Sequence, residues 1–294
     1  MIEILNGIHE IVNYKNISGL NGIRLYHNVE TEDYPVHWHI ALEIITPIKN
    51  TYTVQINNET IICNEKDIIL IPPGELHSLI APQKGERLIL QVDSSLIGTL
   101  NKMDSFLSLI HPYKLIRYEA NPELSNELGT YLSSIEEEYF MLYPFMEPSI
   151  YSLLLRFFVT IGRNHLNTYP KFPNSTPSKQ YEYIEKFMDI CKYITNHCTE
   201  NITVDDLAVQ AGFSKFHFSR LFKQFTGMSC YDYLIRQRIT YAEQLLLAPN
   251  LSITEVAMQS GFNSLSTFNR IFKAYKKCTP TEYKRLDPHN HSYD

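Results

Sequence analysis

The chain has 294 residues, of which 44% are hydrophobic, so it is long enough to form two domains with cores of their own. Its net charge of −6 is uneven: residues 1–179 contain 13 Lys and Arg against 20 Asp and Glu, and residues 180–294 contain 13 against 12. No signal-peptide pattern opens the sequence, no apolar run approaches the roughly 20 residues that a bilayer requires, and the five cysteines lack a tight spacing. We therefore expect a cytoplasmic protein with free thiols and no membrane partner.

The pattern of residues 23–91 is that of short β-strands. Apolar runs are separated by turn residues that recur about every ten positions, as in a small barrel or sandwich. Asn50, Asn57 and Asn64 stand where hairpin turns are expected, and Asn tolerates a positive φ better than most residues. The segment Lys114–Tyr118 is predicted to be the last strand of this β-domain.

Two motifs in this region contain residue types that bind metals or polar ligands. The first is His37-Trp-His39-x-x-x-Glu43, and the second is Pro-Pro-Gly-x-x-His77. Imidazole and carboxylate groups on neighbouring strands can coordinate Zn, Mn or Fe, line a polar effector pocket, or tie strands together. We favour an effector-binding site formed by His37, His39, Glu43 and His77, without a metal or other cofactor, and keep the metal and structural interpretations as alternatives.

Helical spacing of apolar residues follows the β-domain. It runs from Pro122 to Leu142 and continues in a second segment that includes Ile150, Phe157 and Ile161. These two helices either mediate dimerisation or only cover the β-domain. The Pro-, Asn- and Ser-rich segment 166–180 then predicts a linker, which places a sensor or dimerisation domain at 1–165 and a second domain at 181–294.

The second domain contains a duplicated unit. Three positions recur at a distance of 49 residues: Thr203, Asp206 and Gly212, and their counterparts Ser252, Glu255 and Gly261. Phe218 and Arg220 recur at a distance of 50 residues, as Phe268 and Arg270, so the second turn contains one extra residue. The Thr-x-x-Asp and Ser-x-x-Glu motifs are capping boxes. Each unit therefore predicts a capped helix, a Gly-Phe turn and a short cationic second helix, and a linking helix over residues 233–247 separates the two units.

The large apolar residues of each second helix are expected to face the core. They are Phe218, Leu221, Phe222 and Phe225 in the first unit and Phe268, Ile271, Phe272 and Tyr275 in the second. The residues left for an outward face are Lys215, Phe216, Ser219 and Arg220 in the first unit, and Leu265, Ser266, Asn269 and Arg270 in the second. Arg and Asn suit bidentate contacts with guanine and adenine, so we expect these eight residues to contact DNA. Partial core packing of Phe216 and Leu265, and ion pairs of the two arginines within the domain, are the alternatives.

The residues from about 181 to 286 resemble the DNA-binding domain of AraC/XylS-type transcription regulators. The resemblance rests on three segments in order: LAVQAGFSKFHFSRLFKQFTG, YLIRQRITYAEQLL and ITEVAMQSGFNSLSTFNRIFKAYKKCTPTEYKR. The β-region with its two motifs is similar to the cupin-like sensor domain of the same regulators. One departure is Lys277, where the family usually has glycine, and Arg238 matches a family arginine that tends to be structural.

This resemblance implies a fold of a cupin-like β-barrel with following helices and then an all-α domain with two helix-turn-helix units. It also implies a transcription regulator, an activator rather than an enzyme, that responds to a small molecule such as a sugar. Its partners would be double-stranded DNA, RNA polymerase and a second copy of itself as a homodimer. A metal-dependent cupin enzyme fused to a DNA-binding module, or a regulator whose first domain only dimerises, are the alternatives.

Overall fold

The structure is a computed structural model that describes residues 22–29, 32–56, 59–93, 96, 106, 110–168, 172, 176–248 and 250–285. The chain forms two compact units. The first contains the β-strands and the helices up to Asn164, and the second runs from His165 to Arg285. In the described part of the chain, no helix is both long enough and apolar enough to cross a membrane. All five cysteines are free, as expected.

Two antiparallel sheets form the β-part of the first unit. The five-stranded sheet has the order β1 (Ile23–Asn28), β8 (Glu86–Asp93), β3 (Ala41–Lys49), β6 (Ile68–Ile71) and β9 (Lys114–Ile116). The four-stranded sheet has the order β2 (Tyr34–His37), β7 (His77–Ile80), β4 (Tyr52–Ile56) and β5 (Glu59–Cys63). Apolar side chains from both sheets form one core, among them Ile45, Ile71 and Ile89 from the first sheet and Val54, Ile56 and Leu79 from the second. Each such fully buried side chain contributes about 1.5–3 kcal/mol to folding.

The predicted β-domain is confirmed, including its last strand, but only part of the turn prediction holds. Asn50, after β3, has a φ of 64°, as its position in a turn suggested. In the turn after β5, the positive φ of 66° belongs to Lys66 rather than to Asn64. Asn57 lies outside the described residues.

The two predicted helices follow as α1 (Pro122–Met141) and α2 (Met146–Thr168). Helix α1 begins where the side chain of Asn121 accepts a hydrogen bond from the backbone N–H of Leu124 at 3.1 Å. It ends at Leu142, whose φ of 55° is left-handed. Helix α1 is also tied to the five-stranded sheet, because His27 on β1 bonds Glu136 on α1 and Glu86 on β8.

The second unit consists of helices. They are α3 (Pro177–Asn196), α4 (Val204–Ala211), α5 (Lys215–Thr226), α6 (Cys230–Leu246), α7 (Ile253–Gln259), α8 (Leu265–Lys276) and α9 (Pro280–Arg285). The last turn of α2 and the first turn of α3 both lie inside the segment that the sequence predicts as a linker. Phe172, from the same segment, is only 2% exposed and belongs to the core formed by α3, α4 and α5.

Both helix-turn-helix units have the predicted caps. Thr203 before α4 and Ser252 before α7 each accept a hydrogen bond from the N–H of the third helical residue at 3.2 Å, and the acidic side chain there bonds back. Three residues separate α4 from α5, whereas five separate α7 from α8. The difference arises because α7 is one residue shorter than α4 and the turn that follows it is one residue longer. The slip from 49 to 50 is therefore confirmed as an insertion in the turn.

Helix α6 contacts both helix-turn-helix units. Arg238 on α6 donates from Nε to the Cys198 carbonyl at 2.7 Å and from Nη2 to the Glu200 carbonyl at 2.9 Å, at the entrance to the first unit. Gly261 in the turn of the second unit packs against the same place, since a Cβ there would lie 2.9 Å from Thr199 Cα and 3.0 Å from Arg238 Nε. The structural role expected for Arg238 is thus confirmed, and a glycine is required at 261 both by this approach and by its φ of 85°.

The inward face of α8 differs from the prediction at its C-terminal end. Tyr275 is only half-buried, and Lys276 is 4% exposed and lies in the core position. Its Nζ pairs with Glu243 Oε1 of α6 at 2.7 Å. Lys276 therefore belongs to the interior and not to the cationic surface of α8.

Candidate functional site

The outward face of α5 is exposed as predicted. Lys215, Ser219 and Arg220 are exposed, and Phe216 is 86% exposed, which rules out core packing for that ring. Phe218, Leu221, Phe222 and Phe225 are buried on the other side. Helix α5 is therefore amphipathic in an unusual way, since a large aromatic ring points away from the core beside two cations.

Helix α8 presents the matching face of the second unit. Ser266, Asn269 and Arg270 are exposed, and Leu265 is half-buried, so the alternative of partial core packing applies to Leu265. Ser264 caps the helix by accepting a hydrogen bond from Thr267 N at 3.3 Å. Neither α5 nor α8 contains an acidic residue.

The charged groups of these faces differ in their partners. Lys215 Nζ lies 2.6 Å from Asp205 Oδ2 of α4, and both side chains are more than half exposed. An ion pair this exposed is worth well under 1 kcal/mol and opens readily for a phosphate. Within the described part of the chain, Arg220 and Arg270 form no ion pair, so the expected alternative of an intradomain salt bridge is absent there. These two guanidinium groups keep their donors available to a ligand.

The four residues of the sensor motifs lie together between the two sheets. His37 and His77 are paired across β2 and β7 with ring centroids 4.3 Å apart, and His39 lies 5.0 Å from His77. Glu43, on β3 of the other sheet, is 2.8 Å from His39 Nε2 through Oε2 and 3.6 Å from His77 Nε2 through Oε1. The ligand nitrogens of the three histidines all lie within 4.8 Å of one another.

Backbone carbonyls orient all three imidazoles in the same way. The Nδ1 atom of His37 lies 2.8 Å from the Pro35 carbonyl, that of His39 3.0 Å from Ala41, and that of His77 2.8 Å from Glu75. A carbonyl only accepts, so each Nδ1 carries a proton. The Nε2 of His37 is left as an acceptor in the neutral ring, whereas His39 Nε2 donates to Glu43 Oε2, because an ionised carboxylate only accepts. The cluster thus places the imidazoles of His39 and His77 against a buried carboxylate, with the acceptor nitrogen of His37 beside them.

Burial and charge set the ionisation of this cluster. Burial and the neighbouring His77 lower the pKa of His37 to about 4, which keeps that ring neutral. Burial opposes the charged form of His77, but the adjacent Glu43 outweighs it and raises the pKa of His77. Burial also opposes the ionised form of Glu43, yet His39 and His77 hold the pKa of that carboxyl well below its usual range. Glu43 is accordingly a buried carboxylate, only 3% exposed.

One member of the cluster was missed by sequence reasoning. Gln91 on β8 is the strand partner of Glu43 and donates from Nε2 to Glu43 Oε2 at 2.7 Å. It fixes the carboxylate that faces His39. Only the β3–β8 register reveals this pairing, because nothing in the sequence near Gln91 resembles a ligand motif.

Comparisons with known proteins match both the β-region and the helical second unit. A family model of the AraC-like ligand binding domain matches residues 21–96, and one of a helix-turn-helix domain matches residues 207–286. The HTH-type transcriptional activator AarP of Providencia stuartii is 31% identical over 120 residues, which are 40% of this chain and 89% of AarP. The chain belongs to the AraC family of transcription regulators.

Two further similarities extend over nearly the whole chain. The uncharacterized HTH-type transcriptional regulator YdeC of Bacillus subtilis is 23% identical over 259 residues, 86% of this chain and 87% of YdeC. The crystal structure of ToxT from Vibrio cholerae aligns with a TM-score of 0.50 at 16% identity, over 90% of this chain and 97% of ToxT. The predicted order of a β-rich sensor domain followed by helices and an all-α DNA-binding domain is therefore confirmed. This regulator combines an N-terminal ligand-binding domain with a C-terminal helix-turn-helix DNA-binding domain.

Proposed function

We propose that this regulator is a transcription activator that reads two successive major grooves of DNA with α5 and α8 when a small molecule occupies its N-terminal domain. The observation that carries the proposal is the repeat-matched exposure of Arg220 and Arg270 on two helices without acidic residues. Helix α6 has 17 residues and so spans about 25 Å, a length comparable to one turn of DNA, roughly 34 Å.

The outward residues suit different parts of the duplex. Arg220 and Arg270 have the fork geometry for the O6 and N7 atoms of guanine, and Asn269 suits adenine. Phe216 and Leu265 fit thymine methyl groups, and the hydroxyls of Ser219 and Ser266 suit phosphates or bases. Lys215 would leave Asp205 to contact the backbone, because an exposed ion pair costs little to open. We assign DNA contact to all eight residues on these grounds.

The decisive experiment measures binding of the full chain to fragments of candidate promoters and to random DNA over a range of salt concentrations. Arg220→Ala and Arg270→Ala should each cost about 1–3 kcal/mol of specific affinity if they read bases. Arg24→Ala, which removes the same charge from an exposed position of β1, is the matched control and should change nothing. Equal losses on specific and random DNA would identify phosphate contacts instead, and no binding to any promoter fragment at low salt would refute the proposal.

On the sensor side, we assign effector binding to His37, His39, Glu43 and His77. The Glu43 carboxylate and the Nε2 acceptor of neutral His37 suit a ligand that offers hydrogen-bond donors, such as the hydroxyl groups of a sugar or polyol. The side chain of His39 is 19% accessible, against 2% for His77 and 3% for Glu43, so a ligand would enter on its side. His39→Ala should abolish effector-dependent transcription while leaving DNA binding intact. A variant that still responds to the effector would show that the pocket is elsewhere.

The family also supports the partners that we propose. AarP is a transcriptional activator by name, which favours activation, and hence contact with RNA polymerase, for this regulator as well. The helices α1 and α2 follow the β-sheets in the position where a homodimer contact is expected. We propose no enzymatic activity, since these relatives are transcription regulators. Free thiols in all five cysteines fit a cytoplasmic location.

A metal centre at the same four residues is the second candidate, and one observation favours it. Histidines that bind metals usually donate their other ring N–H to a carbonyl or carboxylate, and all three histidines here do so. Zn, Mn or Fe held by His37, His39, Glu43 and His77 would supply a Lewis acid to the pocket. Catalysis by a cupin enzyme would need such a metal together with turnover of a substrate.

Elemental analysis separates the two candidates. We expect the dialysed protein to be metal-free and its melting temperature to be unaffected by a chelator. Trp38, the only tryptophan, is 1% exposed next to the two histidines, so its fluorescence reports rearrangement of the sheets rather than direct ligand contact. Stoichiometric metal that survives dialysis and is lost in His77→Ala would establish the metal centre.

A further inference from the structure

A groove lies beside the proposed DNA-reading face of α5, within the second unit. It has a volume of about 380 Å³ and is bounded by the first turn of α3 and one side of α5. The polar residues that line it are Thr176, Lys179, Tyr183, His217, Arg220 and Gln224. The buried side chains of Phe172 and Leu221 close its inner side. The groove therefore has an apolar inner side and a mainly polar lining.

The groove is basic. Lys179, His217 and Arg220 line it, and none of its lining residues is acidic. Two of these side chains contact aromatic rings rather than carboxylates. His217 stacks on Phe213 with ring centroids 5.2 Å apart, and Lys179 Nζ lies 5.8 Å from the centroid of the Tyr183 ring. In the described part of the chain Lys179, His217 and Arg220 form no ion pair. The charges of Lys179 and Arg220 are thus uncompensated and available to an anion.

Helix α3 adds to the positive electrostatic potential of the groove. It has 20 residues and begins at Pro177, so the positive end of its dipole lies at the groove, although Pro177 has no N–H and the N–H of Lys179 is already bonded to Thr176 Oγ1 at 3.4 Å. Helix N-termini of this kind favour phosphate oxygens. The helix end supports the site but does not make it, since the basic lining is contributed by α5 as well.

We propose that this groove binds a backbone phosphate of the DNA that α5 reads. Lys179 makes the phosphate contact, although it lies on α3 and not on one of the two outward-facing helices α5 and α8. The inference rests on the proposed function, because Arg220 belongs both to the groove and to the DNA-reading face. A helix in the major groove is flanked by the two phosphate backbones, and such contacts set its register without reading sequence. Lys179 and the first turn of α3 extend the footprint of the first helix-turn-helix unit onto one of these backbones.

The test uses the full chain and the variants Lys179→Ala and Lys179→Gln. Lys179 is exposed and its Nζ lies 5.8 Å from the Tyr183 ring without an ion pair in the described part of the chain, so both variants should fold normally, which circular dichroism would verify. Affinity should fall about 3–10-fold on specific and random DNA alike, and the slope of log K against log salt should fall by about 0.9. Lys186→Ala is the matched control on the same helix, because Lys186 pairs with Glu182 at 3.0 Å and lies outside the groove. It should leave the slope unchanged.

A neutral methylphosphonate placed at single positions of the DNA locates the contact. At one position it should weaken binding of the natural chain but not of Lys179→Ala, because the two changes remove the same interaction. If Arg220→Ala and Arg270→Ala lose affinity while Lys179→Ala keeps both its affinity and its salt slope, the groove proposal is wrong and the proposed function stands. If inorganic phosphate raises the melting temperature of the natural chain but not of Lys179→Ala, with an unchanged DNA slope, the groove binds a free anion and the proposal is overturned.

Discussion

Lys277→Gly should stabilise the second unit, against the usual expectation that glycine weakens a helical protein. Lys277 ends α8 with φ 62° and ψ 0°, a left-handed conformation. The matched residue of the first repeat is Gly227, which ends α5 with φ 82° and ψ −6°. Both residues close their helix with the same hydrogen bond, from their N–H to the carbonyl four residues earlier. The first repeat therefore has at this position a glycine, which tolerates a positive φ, whereas the second repeat has a lysine.

The magnitude follows from two opposing terms. A residue with a Cβ at a positive φ is less stable than glycine by about 1 kcal/mol. The lysine regains part of this, because its Nζ donates to the Ala274 carbonyl at 2.9 Å and its charge faces the negative end of α8. An exposed interaction of this kind is worth about 0.3–0.5 kcal/mol. The net gain for Lys277→Gly is thus about 0.5–0.7 kcal/mol.

Urea unfolding of residues 165–294, followed by circular dichroism at a helical wavelength, measures this difference. The fragment starts before Phe172 because that ring is buried in the core of the first helix-turn-helix unit. Gly227→Lys is the matched control: a Cβ there meets no atom within 4 Å, so its expected loss of about 1 kcal/mol comes from the backbone alone. A clear loss of stability in Lys277→Gly would refute the left-handed end of α8.

Three other changes test how the fold is held together. Gly261→Ala should cost more than 2 kcal/mol in urea unfolding, clearly more than Gly212→Ala, because both have a positive φ but only the Cβ at 261 would collide with backbone. Lys276→Met should cost about 3–5 kcal/mol by leaving the Glu243 carboxylate buried without this ammonium group, and a second change, Glu243→Leu, should recover most of the loss. The raised pKa of His27 means that its ion pairs stabilise the fold fully below its unfolded pKa of about 6.5 and are lost as pH rises through the folded value. The destabilisation measured for His27→Ala should therefore shrink as pH is raised.

The sequence predicted the features that local pattern controls. The capping boxes, the Gly-Phe turns and the extra residue of the second turn follow from a repeat whose offset changes from 49 to 50. Period-2 and period-3.6 patterns predicted the strands and helices, because each element buries one face. The convergence of His37 and His39 also follows locally, from a spacing of two residues.

Residues whose placement depends on a distant partner were not predicted. Lys276 reads as one more surface cation, and its burial depends on Glu243, which lies 33 positions earlier on another helix. Gln91 reads as an ordinary strand residue until the register places it opposite Glu43. Phe172 reads as a linker residue among prolines, yet its ring stacks on Phe187 and Phe225. In each case tertiary packing, and not local preference, determines the role.

The two recognition helices share a scaffold but differ in what they can recognise. Each ends in a left-handed residue and buries repeat-matched phenylalanines, so α5 and α8 are presented in the same way to a duplex. Their outward residues differ at three of the four positions, and only Arg220 and Arg270 correspond. The α5 face carries an aromatic ring beside a lysine, with the basic groove at its edge, whereas α8 carries a serine and an asparagine. The two repeats therefore share the position of one arginine, whereas the neighbouring outward positions differ. On the proposed contacts, we expect a single chain to read two unlike half-sites in tandem, so that its operator need not be palindromic.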